Sequence, residues 1–151
     1  MIINKELLYP ELSYKLNGLF FEAHNKLGRY RNEKQYADYF EQQLIKEKMD
    51  YKREYILPAS FNGERKRRNV VDFIAENKII IDFKTKTIIT KDDYFQMQRY
   101  LTSANIELGI IVNFRQKTLT PKRVMNTEIY KKKYSKYGNT IVINSDYSDK
   151  N

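Results

Sequence analysis

The sequence contains no cysteine. Disulfides, thiolate metal sites and a cysteine nucleophile are therefore excluded, and the absence fits an intracellular, cytoplasmic setting. Histidine occurs once, at His24, so a zinc site would have few ligands to draw on. Five glycines and three prolines are too few for a fibrous or disordered chain. No apolar run approaches the roughly 20 residues that span a bilayer. The opening residues Met1 to Tyr9 carry Lys5 and Glu6 and lead into no longer apolar stretch, so a secretory signal is not expected. Neither a basic amphipathic helix nor a lipidation signal points to a membrane surface.

What is present is positive charge. The chain of 151 residues has a net charge of +9. Such an excess favours polyanions, nucleic acid first among them. Hydrophobic residues make up 41% and charged residues 31%, an ordinary balance for a globular protein with a well-solvated surface. With no internal repeat and no linker, one domain is expected. Its core would cover about residues 12–126, with a basic extension over 127–151.

Apolar positions Leu12, Leu16, Leu19, Phe20, Ala23 and Leu27 recur at helical spacing, and Gly28 stands where a helix C-cap is expected. A second helix should run from Asn32, its N-cap, to Met49, with Tyr36, Ala37, Phe40, Leu44 and Ile45 as its stripe. Glu33 falls on the face of Tyr36 and Phe40, so it is expected to be buried with them. The period then changes. Strands are predicted over Tyr51–Leu57, Val70–Ala75 and Lys78–Lys84, the last two joined by a tight turn at Glu76-Asn77. A third helix is predicted over Lys91–Ala104 and a strand covered on both sides over Glu107–Phe114. Pro121–Met125 reads as an edge strand and Thr140–Ile143 as a final one. The order α-α-β-β-β-α-β implies an α/β fold, a mixed central β-sheet flanked by helices.

Chemistry concentrates in NVVDFIAENKIIIDFKTK, residues 69–86. Side chains alternate faces along a strand. Ile80, Asp82 and Lys84 share one face of their strand. Val70, Asp72 and Ile74 share a face of the preceding strand, with Val71 and Phe73 opposite. Asp72, Asp82 and Lys84 can therefore meet. Two neighbouring carboxylates repel unless a cation lies between them. Hard oxygen ligands suit Mg²⁺ or Mn²⁺. The plainer alternative is a cross-strand Asp–Lys ion pair, worth about 0–1 kcal/mol at a surface. Against it, both aspartates interrupt runs that otherwise read as core, where a charge needs a partner. His24 reads as a packed helix histidine.

The pattern Asp72, then Asp82-Phe83-Lys84, resembles the D…(D/E)xK signature of the PD-(D/E)xK nuclease superfamily, whose fold is restriction-endonuclease-like. The wider chain resembles the small bacterial GxxExxY proteins. The resemblance lies in GLFFEAHNKLG (18–28), EKQY (33–36), VDF (71–73), IDFK (81–84), DDYFQMQRYL (92–101) and LGIIVNF (108–114). It implies a helix-borne acid at Glu33 and metal ligands at Asp72 and Asp82, with the Phe83 carbonyl as a third. It implies that Lys84 orients or deprotonates the attacking water, that Gln96 supports the site, and that Tyr36 and Tyr100 pack beside it. Tyr30 stands where the GxxE motif has glycine, and Asp82 where that family has glutamate.

The expected activity is metal-dependent hydrolysis of phosphodiester bonds, in DNA first. The alternative is an inactive nucleic-acid-binding or protein-interaction module of the same fold within a larger defence or repair complex. A homodimer or a partner protein is compatible with either. Candidate contacts to the polyanion are Arg65, Lys66, Arg67, Arg68, Lys86, Lys131, Lys132 and Lys133. Tyr134 and Tyr137 could stack on unpaired bases.

Overall fold

A computed structural model describes residues 8–129 and 131, together with the backbone of two short strands near the ends. Its elements are β1 (Ile2–Ile3), α1 (Pro10–Leu27), α2 (Glu33–Lys46), β2 (Tyr51–Ile56), β3 (Val70–Ala75), β4 (Ile79–Lys84), α3 (Lys91–Ala104), β5 (Leu108–Asn113), β6 (Lys122–Met125) and β7 (Val142–Ile143). The central sheet has the order β2-β3-β4-β5-β6. Its pairs are antiparallel except for β4 and β5, which run parallel. That exception follows from α3, which crosses over between them. Outside this sheet, β1 and β7 pair in parallel. No helix among the described residues is long and apolar enough to cross a membrane.

The caps explain where the helices stop. Gly28 closes α1 with φ 79°, a conformation that glycine adopts without strain. Asn32 starts α2: its side chain accepts the Gln35 N–H at 2.9 Å, and the Gln35 side chain accepts the Asn32 N–H at 3.0 Å. The helix ends at Lys46 rather than at the expected Met49. Lys48 takes φ 57°, and the Met49 N–H turns back to the Leu44 carbonyl at 3.0 Å. Met49 thus leaves the helix and enters the core.

Each face of the sheet is covered. On one, Leu16, Phe20, Phe40 and Leu44 of α1 and α2 pack on Phe73, Ile81, Phe83 and Ile110. Tyr36 stacks on Phe114 with centroids 4.1 Å apart. On the other, Tyr94, Met97, Tyr100 and Leu101 of α3 pack on Ile74, Ile80, Ile111 and Val124. Strand β5 is buried along its whole length, as an apolar strand between two layers must be.

At Gly109 α3 comes close to the sheet. A Cβ there would run into the Met97 thioether, which is 1% exposed. Gly109→Ala is therefore expected to destabilise the fold by about 1–3 kcal/mol through overpacking. Urea unfolding checks this; a change under about 0.5 kcal/mol would show that Met97 has room to move.

Candidate active site

The site forms where the β3–β4 hairpin opens. Backbone pairing runs Ala75–Ile79, Ile74–Ile80 and Phe73–Ile81 and then ends. At the next level, Asp72 faces β4 with its carboxylate rather than its backbone: Oδ2 accepts the Phe83 N–H at 2.7 Å. This insertion breaks the alternation of β3. Phe73 belongs to the α1/α2 side, yet Val71 lies on the α3 side, not beside Phe73 as strict alternation predicts. Strand β4 itself stays regular because β5 pairs with it through Lys84–Asn113.

Asp72 and Asp82 lie close enough across the opening for the charge of one to bear on the other. Burial, and then the Asp82 charge, push the Asp72 carboxyl up to about 7. Asp82 is 6% exposed. Burial raises its pKa too, and the Lys84 ammonium opposes the rise. The Lys84 Nζ lies 3.0 Å from Asp82 Oδ2 and 3.9 Å from Asp93 Oδ1, and it donates to Gln96 Oε1 at 2.7 Å. Burial alone would lower the Lys84 pKa, but Asp82, Asp93 and Glu33 outweigh it and raise the value. The ammonium is thus held charged and aimed. Tyr100 lies behind the aspartates; burial, and then the charges of Asp82 and Asp72, lift its phenol to about 12.

Glu33 is exposed rather than buried with Tyr36 and Phe40. It is the first residue of α2, so its side chain projects past the core over the strand ends. Its carboxyl leans far enough inward for burial to raise its pKa, against the pull of Lys84, and it accepts the Thr85 hydroxyl at 3.5 Å. Glu33, Lys34, Ala37, Arg53, Glu54, Asp72 and Phe83 line a cavity of about 140 Å³. That volume holds roughly four or five waters. A larger open groove along α1 and α2, past Gly18, Phe21 and Tyr39, lies away from this chemistry.

Among the described residues, no three carboxylates or histidines converge closely enough to hold a metal ion by themselves. Glu33, Asp72 and Asp82 therefore form a close pair, Asp82 buried and Asp72 half-buried, with an outlying acid rather than one cluster. This donor set does not fit a closed all-protein cage. It does fit a divalent ion that keeps several of its waters and takes only one or two carboxylates from the protein. The crowding that raises Asp72 is what a cation between the two oxygens would relieve.

Several supporting residues escaped the sequence reading. Asp93 receives the Thr90 N–H at 2.8 Å and the Lys86 ammonium at 2.9 Å, and burial is outweighed by these donors, so its pKa is lowered. The Thr90-x-x-Asp93 spacing ahead of α3 was its available signal. Asn113 pins the loop after β4: its Oδ1 accepts the Lys86 N–H at 3.1 Å and its Nδ2 donates to the Lys86 carbonyl at 2.7 Å. A polar residue closing the apolar run of β5 was the signal there. Glu54, with φ 49° inside β2, had none.

The basic candidates separate in space. Arg65, Lys66, Arg67 and Arg68 are exposed between β2 and β3, at the same end of the sheet as Asp72. Lys86 is tied to Asp93. Lys131 is exposed and lies 3.9 Å from Glu128. Lys132, Lys133, Tyr134 and Tyr137 lie outside the described residues. His24 donates from Nε2 to the Gln116 carbonyl at 2.8 Å and stacks on Phe114.

No curated protein and no solved structure matches the chain. A family model does: that of the PD-(D/E)XK nuclease superfamily, over residues 10–125, which run from the start of α1 to the end of β6 and include the whole hairpin site, and the chain belongs to that superfamily.

Proposed function

We propose that this protein is a nuclease that hydrolyses phosphodiester bonds, in DNA first, with Mg²⁺ or Mn²⁺ as its ion. One observation carries the reading: a buried Asp82 and a half-buried Asp72 meet at an unpaired level of the hairpin, with a lysine ammonium fixed beside Asp82. A bound divalent ion would supply an activated water and neutralise charge on the phosphate. Asp72 and Asp82 would hold it, aided by the Phe83 carbonyl and, through its outer position, Glu33. Lys84 would orient the attacking water and stabilise charge gathering on the phosphate. Gln96 keeps the Lys84 Nζ aimed, since its amide oxygen occupies one donor and limits rotation of the side chain. Positive side chains on the loop from Arg65 to Arg68 would hold the polyanion's backbone.

The test is cleavage of plasmid and single-stranded DNA by the purified chain with Mg²⁺, Mn²⁺ or EDTA, beside Lys84→Ala. Cutting that requires the ion and the lysine is expected. A second reading, a binding module of the same fold without turnover, is favoured by the Lys84 ammonium, which already neutralises Asp82 at 3.0 Å without an ion. It predicts salt-sensitive binding that EDTA leaves unchanged and no cutting with either metal.

A further inference from the structure

The turn between α1 and α2 carries a group that the carboxylate site does not use. Tyr30 is 77% exposed. A single exposed tyrosine means little by itself; its neighbours decide. The Arg29 guanidinium carbon lies 5.3 Å from the ring centroid, and that of Arg115 lies 5.9 Å from it. These arginines are 86 residues apart and lock each other in place: Arg29 Nε donates to the Arg115 carbonyl at 2.8 Å, and Arg115 Nε to the Arg29 carbonyl at 3.0 Å. Those bonds use the Nε–H groups. The outer Nη groups of both have no hydrogen-bond or carboxylate partner among the described residues. Arg31, Lys34 and Lys117, all exposed, add to the local positive field.

Two guanidiniums held beside one ring that stays 77% exposed repel each other, and a phosphate bound by both would relieve that. The position is also telling. Arg115 stands two residues beyond Asn113, whose Oδ1 accepts the Arg115 N–H at 3.3 Å. Asn113 pairs with Lys84 in the β4–β5 ladder. Tyr30 stands three residues before Glu33. The platform therefore lies at the same strand ends as the aspartates, on the β5 side, opposite the basic loop of β2 and β3.

We propose that Arg29, Tyr30 and Arg115 form a clamp for an unpaired nucleotide, its base stacked on Tyr30 and its phosphate held by the two guanidiniums. The substrate class is then nucleic acid with a single-stranded stretch beside the bond to be cut. Bases inside a duplex are stacked on both sides and offer Tyr30 no face. Cleavage next to the clamp rests on the nuclease reading; binding by the clamp does not.

The experiment is fluorescence anisotropy with a labelled oligothymidine and a blunt duplex of equal length, in EDTA so that nothing is cut. Wild type, Tyr30→Ala and Tyr30→Phe are compared, with melting to verify the fold. Tyr30→Ala is expected to weaken oligothymidine binding roughly tenfold or more, the scale of one base–aromatic stack. Duplex binding should hold, and Tyr30→Phe, which keeps the ring, should bind as wild type. Unchanged oligothymidine binding by Tyr30→Ala, equal weakening on both ligands, or no oligothymidine binding by wild type would overturn the clamp. Tyr30-dependent binding by a protein that cuts nothing with Mg²⁺ or Mn²⁺ supports the clamp and removes the nuclease reading alone.

Discussion

Lys84→Ala is expected to lower metal-dependent cleavage by about a hundredfold to a thousandfold, the range for removing one preorganised charge-stabilising donor. Among the described residues, the ammonium is the one positive group fixed against Asp82, and Asp82, Gln96 and Asp93 surround its Nζ. Alanine removes the charge and leaves Asp82 buried without its counter-ion. The Asp82 carboxyl should then take up a proton more readily, which also weakens any ion held there. Lys84→Arg should not rescue activity, because a planar fork does not fit a socket built around a compact ammonium. Melting of both variants in EDTA separates loss of chemistry from loss of fold. Retention of more than about a tenth of the wild-type rate by folded Lys84→Ala would remove this lysine from the mechanism.

The second large effect concerns Asp72 and pH. Its carboxyl is raised from the ordinary 3.8 to about 7. A raised carboxyl means that the folded state favours the protonated form. Stability from that form is fully present below about pH 4 and is lost as pH rises through about 7. The shift corresponds to a loss on the order of 4 kcal/mol in metal-free protein. Asparagine is an isostere of the protonated acid: its oxygen can accept the Phe83 N–H and its amide can donate to Asp82. Asp72→Asn should therefore match wild type near pH 4 in EDTA and melt above it at pH 8. Adding Mg²⁺ at pH 8 should raise the melting temperature of wild type and leave Asp72→Asn unmoved. The comparison must be between the two proteins, because the lowered pKa of Asp93 gives both an opposite trend. Parallel pH curves for the two, with equal responses to Mg²⁺, would show that Asp72 carries no such strain.

These residues also mark how far local pattern reaches. Helix α3 falls on Lys91–Ala104, as its apolar spacing and Thr90-x-x-Asp93 start require. The hairpin turn at Glu76-Asn77, where φ is 54° and 56°, was visible as a polar break between two strand-like runs. The approach of Asp72 to Asp82, and of Lys84 to Asp82, was legible because two charges interrupt runs that are otherwise core. All of these depend on chain neighbours within a few residues, and that is the range over which periodicity carries information.

What only the tertiary structure decided depends on which segments meet. Alternation could not reveal that the β3–β4 ladder ends at Phe73–Ile81, because a ladder stops when two strands diverge, and divergence is a property of both. It therefore misplaced Val71. Glu33 has the right phase for burial, but it is the first residue of α2 and stays exposed, while Tyr36 and Ala37 at the end of that turn are buried. Lys86 reads as a free cation until Asp93 is brought across from α3 to hold it. Arg29 and Arg115 are unremarkable in sequence, and they become a frame for Tyr30 only because β5 delivers Arg115 to the end of α1. The sequence alone determined the elements and which residue types are available for chemistry, since these are written in neighbouring side chains. The packing of distant strands and helices decided which charges are free, which are paired and where a ligand could enter.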